Sequence, residues 1–214
     1  MGTKKEGVVV LRDGVSQRLE GSPDLDQSWV MALVRSKSGS ILMGASTGLY
    51  IYSNGVIEHL DEKDGLSSNM VRSIVEDREG RIWLATNKGV SVYDHERFTH
   101  YLLEMGRIKT LLQDSGGRIW AGTAQGLHLF SDGRFHAIDV EDGLFDRMIN
   151  TIFEDNQGYL WMSTYKGPFR VKRQELLDFV DGKISKVHSI AYGTRDGMAS
   201  EGCNGGTQNI GYQT

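Results

Sequence analysis

The chain has 214 residues, 39% hydrophobic and 24% charged, which is too apolar for a disordered segment. A net charge of −4 argues against a nucleic-acid partner, and no apolar run approaches the ~18 residues that a membrane-spanning helix needs. Cys203 is the only cysteine, which excludes an internal disulfide and a thiolate metal cage, and residues 1–20 hold no signal-peptide core.

In chain order the predicted elements are those of one unit written four times. Val30 to Leu49 reads VMALVRSKSGSILMGASTGL, a worn copy. Val71 to Val90 reads VRSIVEDREGRIWLATNKGV, Ile108 to Leu127 reads IKTLLQDSGGRIWAGTAQGL, and Ile149 to Pro168 reads INTIFEDNQGYLWMSTYKGP. The matched glycines Gly39, Gly80, Gly117 and Gly158 lie 41, 37 and 41 residues apart. A period near 40 that carries only short strands predicts a β-propeller of four-stranded antiparallel blades. In the second copy, alternation over Val71–Glu76 is a first strand and Asp77-Arg-Glu-Gly80 a hairpin turn, in which Gly takes the positive φ. Arg81–Thr86, Val90–Tyr93 and Phe98–Leu102 follow as strands two to four.

Each second strand holds a large residue, Leu42, Trp83, Trp120 or Trp161, and two positions later a small one, Gly44, Ala85, Gly122 or Ser163. The tryptophans are expected in the core, each ring seated where the neighbouring blade offers little side chain. The full copies span about 28–62, 69–103, 107–141 and 148–193, all within a single domain over 1–214. Between strands three and four of the last copy, Leu176, Leu177, Phe179 and Val180 fall at helical spacing, and Gly182 stops the run. One short helix over about 172–181 is therefore expected, with the fourth strand over Lys186–Tyr192.

The ends extend the pattern. Met1–Thr3 aligns with Leu84–Thr86 and Gly7–Leu11 with Gly89–Tyr93, while Ser200–Tyr212 stands where another first strand begins. The chain thus reads as part of a larger propeller protein. Its two ends either share a fifth blade that closes a ring or leave an open arc.

The phrase I-x-E-D-x-x-G-x-(I/L)-W-x-x-T-x-x-G resembles the two-component regulator propeller repeats. So do the loops Asp64-Gly-Leu, Asp142-Gly-Leu and Asp196-Gly-Met, and the tail Tyr192–Gly206. Departures are the missing Trp of copy one and the missing Asp-Gly-Leu loop before copy three. In that family the propeller is the extracytoplasmic sensor of a membrane-anchored protein. The resemblance therefore implies a periplasmic location, ligand sensing, often of carbohydrate, and downstream signalling domains of a histidine kinase or diguanylate cyclase.

No enzyme is expected. His59, His95, His100, His128, His136 and His188 show no metal spacing and are expected at the surface, solvated or hydrogen-bonded. The pairs Glu76-Asp77 and Glu154-Asp155 recur with the blade, which is turn chemistry rather than a catalytic dyad. No cofactor motif is present. Candidate ligand residues are positional: the segment leading into each first strand carries Gln27 and Trp29, Asn69 and Arg72, Arg107 and Lys109, Arg147 and Asn150, and Asn204. Amides, cations and an indole suit a carbohydrate or a small anion. The short third copy is expected to leave a notch beside Arg107. The alternative reading is a protein–protein or homodimerisation scaffold without a small ligand.

Overall fold

The computed structural model describes residues 2, 7–12, 15–19, 22–101 and 107–198. They fall into two compact units, one up to Tyr101 and one from Arg107. In the first unit, β1 (Val9–Arg12) and β2 (Val15–Arg18) form an antiparallel ribbon, followed by a one-turn helix, α1 (Pro23–Asp26). A four-stranded sheet of β3 (Val30–Arg35), β4 (Ile41–Ala45), β5 (Gly48–Ser53) and β6 (Val56–Leu60) comes next. A second sheet holds β7 (Ser73–Glu76), β8 (Ile82–Thr86), β9 (Gly89–Tyr93) and β10 (Phe98–Tyr101).

The other unit repeats this plan. Its third sheet is β11 (Ile108–Gln113), β12 (Ile119–Thr123), β13 (Gly126–Ser131) and β14 (Arg134–Ile138). The fourth is β15 (Thr151–Glu154), β16 (Tyr159–Thr164), β17 (Gly167–Lys172) and β18 (Ile190–Ala191), with α2 (Arg173–Val180) before its last strand. All four sheets are antiparallel meanders in chain order, the arrangement of propeller blades. The last strand is only two residues long, because Val187 and Ser189 bond back to Asp142 and Gly143 instead of extending the ladder. The C-terminal strand of the expected fifth blade, and the notch beside Arg107, lie outside the described residues.

One turn recurs at every β-hairpin between first and second strands. Ser36, Asp77, Asp114 and Asp155 each donate their N–H to the residue four positions on and accept from the glycine three positions on. Gly39, Gly80, Gly117 and Gly158 sit at φ values of 93°, 83°, 86° and 77°, a region where a side chain would be strained. In three copies the Asp side chain does more. Asp77 Oδ2 accepts from Trp83 Nε1 at 2.7 Å, Asp114 Oδ2 from Trp120 at 2.9 Å, and Asp155 Oδ2 from Trp161 at 2.7 Å. The indole is thereby fixed to the turn that precedes it.

Burial differs between the rings. Trp83 and Trp120 are fully buried as expected, whereas Trp161 is only half-buried, between Tyr192 and the Arg170 guanidinium. The small position has a different partner from the one expected. A Cβ on Gly44 would stand 2.8 Å from Val71 Cγ1, and one on Gly122 would stand 2.8 Å from Ile149 Cγ2. The residue leading into the next first strand fills this space, and the indole packs elsewhere. Histidines also divide: His59, His95, His100 and His188 hydrogen-bond at or near the surface, but His128 is fully buried.

Within each unit, adjacent sheets meet through their first strands. Val71 N–H donates to Ala45 O and Ile149 N–H to Thr123 O, both at 2.9 Å. The glutamate beside the turn aspartate completes the join. Glu76 accepts from Lys37 N at 2.7 Å, and Glu154 accepts from Ser115 N and Oγ.

Candidate functional site

In two of the four sheets the lead-in residues stand at a bulge that opens the first strand. In β3 the register passes from Val30↔Ala45 to Ala32↔Gly44, leaving Met31 as an extra residue, and Lys109 is extra in β11 in the same way. Arg72 and Asn150 stand at the same step, donating N–H to Ala85 O and Ser163 O just before β7 and β15 begin. A bulge lets two consecutive residues serve different faces. Thus Val71 and Ile149 are wholly buried against the preceding sheet, while of the residues that follow them Arg72 is half-buried and Asn150 is buried and bonded to Lys109.

These equivalent residues meet in pairs. In the first unit, an Arg72 guanidinium NH lies 3.7 Å from Met31 Sδ, and Arg72 Nε donates to Asn87 Oδ1 at 3.4 Å. In the other unit, Lys109 Nζ donates to Asn150 Oδ1 at 2.6 Å and stands 5.1 Å from the centroid of the exposed Tyr165 ring. Lys166 pairs with the buried Asp146 at 3.4 Å. Asn150 is buried and holds the ammonium in place, so the half-buried Lys109 and the open phenol face are the groups that can bond a hydroxyl or carboxylate while an apolar sugar face rests on the ring.

The remaining candidates are placed differently. Trp29 is half-buried, its N–H bonded to Ser46 Oγ. Asn69 is occupied in closing its own loop: its Oδ1 accepts from Glu62 N at 2.8 Å and its N–H donates to Glu62 Oε1 at 3.1 Å. Gln27 is exposed at the end of α1, and Arg107 and Arg147 are exposed. Asn204 lies outside the described residues. The sequence reading missed Asn87 and Tyr165, which follow the second strand. Their signal was the position after the recurrent Thr86 and Thr164, where a large polar or aromatic residue meets the lead-in cation.

Two concavities lie away from this cluster. One, of about 1010 Å³, runs beside α2 and is lined by Lys172, Glu175, Asp178, Lys183 and His188, with Lys183 paired to Asp178 and Asp181. The other, of about 410 Å³, lies in the first unit between β3–β6 and β7–β10. Among the described residues no group of His, Cys, Asp and Glu side chains is arranged to hold a metal ion, and no helix is long and apolar enough to cross a membrane.

Residues 65–88 and 143–166 match the family described as Two component regulator propeller, and these two segments are repeats of that type. Both hold an Asp–Trp pair and begin at the glycine of an Asp-Gly-Leu turn. No curated protein matches the chain. Among solved structures, the chain resembles the extracellular domain assigned to the hybrid two component system BT3049 of B. thetaiotaomicron. The TM-score is 0.80 at 22% identity, over 96% of this chain and 28% of that one. It also resembles PorZ, a surface component of the type-IX secretion system of Porphyromonas gingivalis, with TM-score 0.68 and 13% identity over 94% of this chain and 33% of that one. Virginiamycin B lyase from Staphylococcus aureus shares the fold at TM-score 0.62 and 14% identity, over 85% of this chain and 60% of that one. The chain therefore spans less than a third of the BT3049 domain, and the likeness shows a propeller fold that both sensors and enzymes use.

Proposed function

We propose that this propeller is a non-catalytic sensing module of a periplasmic two-component signalling protein, and that it binds a carbohydrate or another small polar ligand on the lead-in side of its blades. The observation that carries the reading is the meeting of repeat-equivalent residues within each unit, the bulge residue Lys109 with Asn150 and the bulge residue Met31 with Arg72. Repetition of this step places polar groups from both blades of a unit side by side, the arrangement in which a small ligand touches more than one blade. Two regulator-propeller repeats and the likeness to an extracellular two-component domain support the location and the signalling context. Signalling would follow from differential affinity: a ligand that prefers one arrangement of the parent's domains shifts its population toward that arrangement.

The test is calorimetric titration of a panel of oligosaccharides and organic acids into the chain and into a Lys109→Ala/Tyr165→Ala variant. Binding weakened by about ten-fold or more in a variant with an unchanged melt supports the reading. A panel that never binds, with a dimer seen by light scattering, would replace it with the scaffold reading.

A further inference from the structure

We propose that the 410 Å³ cavity between β3–β6 and β7–β10 is a second ligand site, one that accepts a planar aromatic amine where the other copies of the repeat place their own tryptophan. The volume falls in the range of about 300–1,000 Å³ typical of small-molecule pockets.

The cavity has a sequence origin. Copy one has lost both partners of the Asp–Trp pair: Ser36 stands where the others have Asp, and Leu42 where they have Trp. The hairpin backbone is nevertheless retained, with Ser36 N–H to Ser40 O at 2.8 Å and Gly39 N–H to Ser36 O at 3.0 Å. The frame is therefore intact around a missing ring.

The other unit shows what such a frame holds. There Trp120 is fully buried in one cluster with Leu129 of its own sheet and with Leu160 and Val171 of the next. The repeat equivalents of those three are Ile51, Ile82 and Tyr93, and all three line the cavity with Leu42. Its apolar walls are thus the walls of an indole site without the indole.

The polar lining sets the ligand's charge. Glu58 and Glu76 face the cavity with Ser36, Ser38 and Ser40, and no Lys or Arg is among the lining residues. In other copies the ring N–H is met by the turn aspartate; here hydroxyls and carboxylates take that place. Tyr93 and His95 close the wall, their ring centroids 5.6 Å apart. His95 is held at φ 75° by two bonds: Tyr93 Oη donates to its carbonyl at 3.1 Å, and its Nε2 donates to Gly80 O at 2.9 Å. A non-glycine residue in that region persists only when its surroundings hold it, which makes the aromatic wall a fixed surface. A flat ring between Leu42 and Tyr93 with an ammonium toward Glu58 matches both chemistries.

Tryptamine and indole-3-acetate are the probes, followed by amide chemical shifts of the chain. Tryptamine is expected to saturate, with shifts centred on Ser36–Leu42 and Tyr93–His95, and indole-3-acetate to bind about ten-fold more weakly because its charge is reversed. The Ser36→Asp/Leu42→Trp variant, which restores the repeat's own pair, is expected to melt higher and to ignore tryptamine. Glu58→Gln, an exposed change that leaves the fold alone, should narrow the preference for the amine. Tryptamine binding should survive Lys109→Ala/Tyr165→Ala, which separates this site from the lead-in surface. Absence of saturable shifts, equal binding of the acid, or undiminished binding to the filled variant would each overturn the proposal.

Discussion

A single carboxylate organises each hairpin. Asp114 is buried, and its two oxygens take the Arg118 N–H at 2.8 Å and the Trp120 indole N–H at 2.9 Å. Removing it leaves the buried Trp120 indole N–H without its partner, so Asp114→Ala should cost about 2–3 kcal/mol in a urea melt, well above a surface substitution. An Asp114→Ala melt indistinguishable from that of the parent chain would remove the pair from the stability argument. At Asp155 burial pulls the carboxyl upward, but bonds from Tyr159 N–H, Trp161 Nε1 and Gln157 N–H outweigh it and hold the group below its usual range. His128 behaves oppositely. Burial lowers its pKa from 6.5 to about 4, with the Gly126 backbone opposing the shift. Its contribution is complete above the unfolded value near 6.5, declines as pH falls toward 4, and is gone below that. The loss amounts to about 3 kcal/mol. Stability measured at pH 7 and pH 4 should show this component in the parent chain and not in His128→Leu; equal slopes for the two would refute it.

At the level of the strand, the bulge decides more than the alternation does. Alternation predicts that Ser73 and Val75 share the buried face of β7, but the adjacent pairs Ser73–Ile74 and Thr151–Ile152 are buried and Val75 and Phe153 only half-buried. Nor does it predict that Val71 and Ile149 pack on the preceding sheet while Arg72 meets Met31 and Asn150 meets Lys109. One extra residue in a ladder barely alters a hydrophobic pattern, so the lead-in pairs were legible as residue types and not as contacts. The space under Val71 and Ile149 exists only because a glycine stands opposite. Gly122→Val would bring a Cβ within 2.7 Å of Thr110 Cγ2 and 2.8 Å of Ile149 Cγ2, and should destabilise by about 1–3 kcal/mol. Gly158→Ala meets nothing within 4 Å and should show only the cost of its φ of 77°, about 1 kcal/mol. Chemical denaturation of the two variants orders them, and a reversed order would mean that the close approach at Gly122 yields more readily than the hairpin backbone at Gly158.

Across the whole molecule, stability in a repeat array is close to a sum of each repeat and its neighbours. The sheet without an Asp–Trp pair should then be the weaker of the two in its unit. Amides of β4 and β5, beside the cavity, are expected to exchange at least about ten-fold faster than those of β12 and β13, where Trp120 fills the equivalent space. Equal protection would show that the cavity walls have relaxed to compensate. The same experiment with tryptamine present would report whether an added ring restores the missing protection.

The repeat period, the hairpin glycines and the buried Trp83 and Trp120 were determined by the sequence alone, because turn chemistry and strand alternation act between residues a few positions apart. The four-stranded antiparallel blades follow from that local code. Tertiary structure alone decided that Asp and Trp form one hydrogen-bonded pair six residues apart, that Lys109 reaches Asn150 across 41 positions, and that Ser36 and Leu42, in place of that pair, leave a cavity. The first depends on how a side chain folds back over its own hairpin, and the other two on how one sheet presses on the next, a contact between distant residues that no local pattern encodes.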